Sequence, residues 1–178
     1  METNKGMPYS RQKVRNMEKK YFPIFIDLLE KKIVVIGGGN IATRRVNTLQ
    51  QFAEHITVVA PEVTAEMREL TEKKQIVWVQ AEYTTAACAK LIAEADMVLA
   101  ATNQPVINHQ VKRDCQKVMA ETGRYILVNV ADDKSCCDFY FPSIVQQGEI
   151  VVGINSGGSA PGLVKETRKK IQSLLKTE

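Results

Sequence analysis

Three consecutive glycines directly follow a short apolar run in the stretch IVVIGGGNIATRR, Ile33 to Arg45. Gly37, Gly39 and Ala42 match the pattern G-x-G-x-x-G/A at the junction of a strand and a helix. The first glycine permits a tight turn, the second lets the backbone approach a pyrophosphate, and the small third residue lets the helix pack on the strand. Free N–H groups at the helix start would then face phosphate oxygens. The pattern predicts a dinucleotide site; the alternative is that the glycines only make a close strand-to-helix turn.

The end of the second predicted strand bears on which dinucleotide binds. An acidic residue that accepts hydrogen bonds from the adenosine ribose is expected there, about twenty residues after the glycines. This chain has Ala60 and Pro61 at that point, and Glu62 is the nearest acid. Because no Arg or Lys is present to pair with a 2′-phosphate, the sequence favours NAD over NADP.

Short apolar runs, most of them rich in β-branched residues and bounded by turn formers, determine the fold class. The predicted strands are Ile33–Ile36, Ile56–Ala60, Ile76–Gln80, Met97–Ala101, Ile126–Val130, Phe139–Ile144 and Ile150–Ile154. Helical patterns alternate with the first five, for example in Asn103–Met119, which begins with a capping-type Asn and stops before Gly123. This alternation predicts an α/β fold with a Rossmann-type parallel sheet covered by helices on both faces.

The pattern changes after Val130, where apolar runs follow one another without a helix between them. The residues 146–149 are typical of a hairpin turn, which predicts a small antiparallel strand addition to the sheet. A final helix begins near Pro161, and one of its faces is predicted to carry Val164, Thr167, Ile171 and Leu174. We therefore divide the chain into a basic leader (1–20), a dinucleotide-binding domain (21–132) and an extension (133–178) for dimerisation and substrate binding.

Charge and cysteine usage exclude several classes of function. The net charge of +4 arises in residues 1–20, which carry six basic and two acidic residues, so the rest of the chain carries 18 of each sign. A neutral body argues against a nucleic-acid partner. The four cysteines lack the C-x-x-C spacing of zinc sites, so no metal site is predicted. With no long apolar run or signal-peptide pattern, we expect a cytoplasmic protein without a membrane partner.

Polar residues near strand ends are the candidates for chemistry. Asp132 and Asp133 follow the fifth predicted strand, at the edge where open α/β sheets bind ligands, and either could act as a base or cap the chain. His109 lies inside a predicted helix and is expected to be a surface or packing residue. The loop Ser156-Gly157-Gly158-Ser159 precedes the last helix; it either binds a carboxylate or phosphate or serves as an ordinary cap.

Four stretches carry a resemblance to a known family: FPIFIDLLEKKIVVIGGGNIATRR, AATNQPVINHQV, NVADDKSCCDFYFPSIV and VGINSGGSAPGLVKETRKKI. Together, and in this order, they resemble precorrin-2 dehydrogenase, the domain also found as the N-terminal part of siroheme synthase. The likeness extends from about Tyr21 to the end of the chain. The Asn-Val-x-Asp run and the Ser-Gly-Gly-x-x-Pro loop make it specific, because neither is a general feature of Rossmann folds.

The resemblance implies an NAD-dependent oxidation of precorrin-2 to sirohydrochlorin, a step towards siroheme or cobalamin. It implies that Asp132 acts in catalysis, as the base that takes a proton after hydride removal. The cofactor contacts are expected at Gly37, Gly38, Gly39, Asn40, Ile41, Pro61, Glu62 and Thr102. The carboxylate-rich tetrapyrrole is expected at Ser156, Gly157, Gly158 and Ser159. A homodimer is also expected.

Some family members also insert Fe²⁺ into sirohydrochlorin, and they continue through a further helical region where this chain ends at Glu178. Iron insertion is therefore the alternative rather than the expectation, and Asp132 and His109 are the only candidates to contact the ion. Two functions of a different class stay open: a non-catalytic NAD-sensing module and a structural domain without a ligand.

Overall fold

The structure, a computed structural model, describes residues 21–176. The strands in this range are β1 (Lys32–Ile36), β2 (His55–Ala60), β3 (Val77–Gln80), β4 (Met97–Ala100), β5 (Leu127–Val130), β6 (Ser143–Gln147) and β7 (Ile150–Ile154). The α-helices are α1 (Asn40–Leu49), α2 (Ala65–Glu72), α3 (Thr85–Glu94), α4 (Pro105–Thr122) and α5 (Pro161–Leu175). The proposed leader, residues 1–20, lies outside the described range.

The first five strands form one parallel sheet in the order β3-β2-β1-β4-β5. Its central strand, β1, pairs Val35 with Val58 of β2 on one side and with Leu99 of β4 on the other. Apolar side chains of these strands are buried alternately in two separate cores, one on each face of the sheet. Helices α1 and α2 cover one face, and α3 and α4 cover the other. The predicted α/β fold with helices on both faces is confirmed.

The predicted antiparallel pair is present, but its first strand begins later in the chain than predicted. Strand β6 runs over Ser143–Gln147 instead of Phe139–Ile144, and it forms with β7 a two-stranded sheet separate from the parallel one. The aromatic rings at 139 and 141 produce the apolar run that imitates a strand, but they pack against the core under α1. Asn129 Nδ2 fixes this segment by donating to the carbonyl of Phe139 at 2.8 Å.

The helix ends also differ in detail from the sequence prediction. Helix α4 begins at Pro105, and its N-cap residue is Gln104 instead of the predicted Asn103. The helix ends at Thr122, and the following residue, Gly123, is the C-cap with a left-handed φ of 72°. Helix α5 has no buried residue. Along its predicted apolar face Val164 is half-buried, whereas Leu174 is 71% exposed. None of the helices in residues 21–176 combines the length and apolar character needed to cross a bilayer.

Candidate active site

The carboxyl ends of β1 and β4 lie at the crevice position of an open parallel sheet, where the direction of strand order reverses. The chain leaves β1 for α1 on one face of the sheet and leaves β4 for α4 on the opposite face. In open parallel sheets this divergence creates the ligand-binding position. At this point the glycine turn after β1 lies against Ala101 and Thr102, which follow β4.

The first two glycines are required by the packing of the protein itself. Gly37 has a φ of +120°, and a Cβ added there would lie 2.5 Å from the carbonyl oxygen of Ala101. A Cβ at Gly38 would overlap the carbonyl oxygen of Glu62. The Gly38 carbonyl in turn accepts a hydrogen bond from the Thr64 N–H at 3.2 Å. The glycines therefore bring three strand ends together, with the Glu62 carbonyl packed against Gly38.

Gly39 is different, because among residues 21–176 no atom beyond its chain neighbours lies within 4 Å of the position a Cβ would take. It is the N-cap of α1 and provides no side-chain hydrogen bond to the helix start. Within residues 21–176 the N–H groups of Gly39, Asn40 and Ile41 donate to no acceptor. Free donors at the positive end of a helix dipole, beside open space, fit the phosphates of a dinucleotide. The side chain of Ile41 is 48% exposed and can contact such a ligand.

Asn108, in the first turns of α4, connects Thr102 to Asp132. Its fully buried side chain accepts at Oδ1 from the Thr102 N–H at 3.0 Å and from the Thr102 hydroxyl at 2.7 Å. Its Nδ2 donates to the Thr102 carbonyl at 3.1 Å and to Asp132 Oδ1 at 2.8 Å. Asp132 is exposed, and within the described part of the chain its Oδ2 accepts no hydrogen bond. One buried amide thus fixes a carboxylate at the carboxyl edge and leaves half of it free for a ligand.

The second glycine loop is stabilised internally. The Ser156 hydroxyl accepts from the Ala160 N–H at 3.1 Å, and the Ser159 hydroxyl donates to the Ser156 carbonyl at 2.6 Å. Both Gly157 and Gly158 have left-handed φ values, 62° and 72°. These hydrogen bonds lie within the loop and do not cap α5, because the N-cap of that helix is Ala160 and it has no side-chain cap hydrogen bond. The ordinary serine cap that the sequence allowed is therefore not formed. A ligand role stays a prediction, because the serine hydroxyls keep further hydrogen-bonding capacity.

Lys134 connects this loop to the segment after Asp132. A Cβ at Gly158 would lie 2.9 Å from Lys134 Nζ, so the ammonium group lies directly against the glycine. This contact brings a cation to the loop, and it is a feature that the sequence prediction missed. The loop also lies beside Tyr140, whose ring is 3.9 Å from the ring of Tyr21 between centroids.

Asp133 has a different environment from Asp132. Its Oδ1 accepts from the N–H and the hydroxyl of Ser135, at 2.8 and 2.6 Å, and so caps the short 3-10 turn Lys134–Cys136. These hydrogen bonds, with that from Cys136, lower the pKa of Asp133 to about 2. His109 Nε2 lies 3.3 Å from Asp133 Oδ2, so the histidine predicted to be a surface or packing residue contacts this carboxylate.

The sequence singled out the two glycine loops and the carboxylates, and the structure connects Thr102 to Asp132 through Asn108. The sequence did not single out the residues that hold them in position: Asn108, Asn129 and Lys134. An Asn inside the apolar run of a strand, or before a His in a helix, was the available signal. The sequence does not show which residue such an Asn contacts, since the contacts span up to 24 positions along the chain.

Known proteins share this sequence pattern. A family model described as putative NAD(P)-binding matches residues 24–143. The siroheme synthase of Baumannia cicadellinicola subsp. Homalodisca coagulata is 36% identical over 156 residues, covering 88% of this chain and 32% of that protein. The siroheme synthase of Mannheimia succiniciproducens is 38% identical over 155 residues, covering 87% of this chain and 30% of that protein. The chain spans about a third of the length of these curated relatives.

A solved structure is similar over most of both chains. SirC, a precorrin-2 dehydrogenase, superposes with a TM-score of 0.72 at 27% sequence identity. The match covers 86% of this chain and 70% of the other.

Proposed function

The chain belongs to the putative NAD(P)-binding family. We propose that it oxidises precorrin-2 to sirohydrochlorin with NAD. The observation that carries the proposal is the buried contact from Thr102 through Asn108 to Asp132, because it joins the dinucleotide crevice to a carboxylate of fixed orientation. The similarity to a precorrin-2 dehydrogenase and to siroheme synthases supports the same substrate.

The proposed cofactor contacts are the glycine turn, Asn40, Ile41, Pro61, Glu62 and Thr102. Gly39 offers open space and free N–H donors for the pyrophosphate. Strand β2 ends at Ala60 and is followed by Pro61 and Glu62, and residues 60–64 contain no Lys or Arg. A carboxylate there would repel a 2′-phosphate, so NAD is the proposed form. The bound nicotinamide would supply the hydride acceptor.

Asp132 is the proposed general base. Loss of a hydride from a macrocycle carbon leaves a cation, which must release a proton to give the product. A carboxylate within hydrogen-bond reach of that proton speeds the step. Asn108 donates to Oδ1 of Asp132 and thereby leaves Oδ2 to take the proton. The amide is therefore proposed as the positioning residue for the base.

The substrate is proposed to lie between Asp132 and the second glycine loop, Ser156–Ser159. Tetrapyrroles of this type carry many carboxylates, which bind best to charged donors and free N–H groups. Lys134 is the nearest candidate, since its ammonium lies against Gly158 and is exposed. The basic residues of α5, from Lys165 to Lys170, add positive charge on the same extension.

We also propose that the extension, residues 133–178, forms a homodimer. Helix α5 buries none of its residues in the protomer and exposes Leu163 (62%) and Leu174 (71%). Ile150, at the start of β7, is 49% exposed. A second copy would cover these apolar side chains, which favours association. We propose a cytoplasmic location, which fits four cysteines that form no disulfide within residues 21–176.

The test is to mix the protein with NAD and precorrin-2 and to follow NADH absorbance. Wild-type protein is expected to form NADH. Asp132→Asn is expected to lose turnover while NAD still raises the melting temperature, because ligand binding to the folded state stabilises it. The control is Glu121→Gln, which removes an exposed carboxylate at the far end of α4.

The outcomes separate the possible functions. Thermal stabilisation by NAD without any NADH from wild-type protein would support an NAD-sensing module instead. Absence of both effects would leave a structural domain. Full turnover by Asp132→Asn would overturn the assignment of the base.

A further inference from the structure

Three potential metal ligands of different chemistry converge next to the proposed active site. His109 comes from α4, whereas Asp133 and Cys136 come from the loop and 3-10 turn that follow β5. One ligand atom from each of them lies within 4.8 Å of the other two. We propose that His109, Asp133 and Cys136 form a binding site for a divalent late first-row transition metal ion such as Zn²⁺. The site does not depend on the dehydrogenase activity.

The two oxygens of Asp133 have different partners, and this division points to a ligand rather than to a cap alone. Oδ1 accepts both hydrogen bonds from Ser135 and so accounts for the capping role. Oδ2 is not needed for the cap, yet His109 Nε2 and Cys136 Sγ both lie 3.3 Å from it. A nitrogen from α4 and a sulfur from the 3-10 turn therefore both lie 3.3 Å from the same carboxylate oxygen.

The distances suit tetrahedral coordination. With bonds of about 2.0–2.2 Å to nitrogen and oxygen and about 2.3 Å to sulfur, the ligand atoms of a tetrahedral zinc ion lie about 3.3–3.6 Å apart. Both separations from Asp133 Oδ2 are already at the short end of that range, at 3.3 Å. The third separation, between His109 and Cys136, is at most 4.8 Å. The hydrogen bonds from Ser135 hold the carboxylate in position while the other side chains adjust.

The cluster is accessible to an ion from solution. The side chain of His109 is 41% exposed and that of Asp133 is 26% exposed. Neighbouring cations do not occupy it: Lys112 pairs with Asp138 at 3.0 Å, and the ammonium of Lys134 lies against Gly158. The carboxylate of Asp133 therefore keeps its charge available to attract a cation.

The ligand set selects the class of metal. A thiolate, an imidazole and a carboxylate suit Zn²⁺, Co²⁺ and Fe²⁺, whereas Mg²⁺ and Ca²⁺ require mainly oxygen ligands. Three protein ligands leave the fourth tetrahedral position to water or another small ligand. When the ion binds, the thiol of Cys136 releases its proton to solvent and its sulfur bonds to the metal.

The test uses the full chain, reduced and stripped of metal, with Co²⁺ as a spectroscopic probe and Zn²⁺ in competition. We expect one Co²⁺ per chain, the visible absorption of a tetrahedral site and a thiolate-to-cobalt charge-transfer band, all lost when Zn²⁺ is added. Cys136→Ser should abolish the charge-transfer band. His109→Gln should weaken Zn²⁺ binding by about tenfold or more, the scale seen when even outer-shell partners are lost.

Cys88→Ser is the matched control, because this buried thiol lies on α3, away from the cluster. It should bind Co²⁺ and Zn²⁺ like wild type. Circular dichroism of the metal-free variants shows whether weaker metal binding comes from a missing ligand or from unfolding. Because His109 is half-exposed, His109→Gln is expected to disturb the fold less than Cys136→Ser. A charge-transfer band that persists in Cys136→Ser, or equal Zn²⁺ affinity in His109→Gln and wild type, would overturn the site. Neither result would affect the proposed dehydrogenase activity.

Discussion

Asn108 Nδ2 lies 2.8 Å from Asp132 Oδ1, although 24 positions separate the two residues. The amide is completely buried and the carboxylate is exposed. A buried amide whose hydrogen bonds are satisfied costs little, whereas one that loses a partner is destabilising. This pair therefore fixes the orientation of Asp132 through the packing of α4, without covering the carboxylate.

Asn108→Asp should shift the pH dependence of turnover. The new carboxylate keeps an oxygen to accept from Thr102, but it faces Asp132 at the 2.8 Å contact. Two carboxylates this close share a proton, which raises the pKa of one of them. At neutral pH kcat should fall by about tenfold to a hundredfold, because a positioned base contributes about 10²–10⁴ in rate. It should recover as the pH rises.

The control for this variant is Asn103→Asp, which adds the same charge to an exposed position in the loop before α4. Its pH–rate profile should match that of wild type. A profile of Asn108→Asp that superimposes on the wild-type profile would show that the amide does not position the base.

The glycine turn offers a matched pair of variants. Gly38→Ala should lower the free energy of unfolding by about 1–3 kcal/mol, the usual cost of overpacking, because its methyl group would overlap the Glu62 carbonyl. The added methyl group of Gly39→Ala meets no residue beyond its chain neighbours in the described part of the chain, so its stability should stay within about 1 kcal/mol of wild type. Its methyl group would instead occupy the crevice and reduce the thermal stabilisation by NAD. Unchanged NAD binding in Gly39→Ala would exclude pyrophosphate at this turn.

Lys134→Gln should raise the KM for precorrin-2 while kcat stays close to wild type. The ammonium lies against Gly158 and is exposed, so it can bind a substrate carboxylate in an environment open to water. The loss of such an interaction corresponds to about 1 kcal/mol, or roughly a fivefold rise in KM. Steady-state kinetics would show it. Lys31→Gln, at the amino-terminal end of the sheet, is the control; an equal KM for both variants would remove Lys134 from the substrate site.

The sequence was sufficient for the parallel sheet and for the glycine turn, because periodicity and the G-x-G-x-x-A spacing are local signals. It was insufficient for β6, since the apolar run at Phe139 and Phe141 has the composition of a strand but packs into the core. Asn108 was missed for a related reason. Its role depends on which face of α4 packs against the sheet, and a single Asn in a helical pattern does not reveal that.

The ligands of the proposed metal site also could not be identified from the sequence. Zinc sites are found in sequence by cysteines in C-x-x-C spacing, and Cys136 and Cys137 are adjacent instead. His109 and Cys136 are 27 positions apart and meet only because α4 packs beside the loop after β5. Ligands contributed by different elements are visible only after folding.

A buried cluster between α3 and α4 gives the last prediction. Asp114 accepts from the Tyr83 hydroxyl at 2.6 Å, the Thr85 hydroxyl at 2.8 Å and Gln110 at 2.8 Å. Burial alone would raise the pKa of Asp114, but these hydrogen bonds lower it overall. A carboxylate with a lowered pKa stabilises the fold above its unfolded pKa of about 3.9 and loses that contribution as the pH falls through the folded value.

Tyr83→Phe should therefore reduce the free energy of unfolding by about 1.5–3 kcal/mol at neutral pH, the range for a hydrogen bond to a charged group. The difference from wild type should shrink as the pH falls below about 4, because the protonated Asp114 no longer gains from a charged hydrogen bond. Urea unfolding at several pH values would measure it. Tyr125→Phe removes a hydroxyl from a residue that is 67% exposed and should have no effect. A Tyr83→Phe difference that stays constant with pH would mean that the hydroxyl stabilises the fold independently of the charge on Asp114.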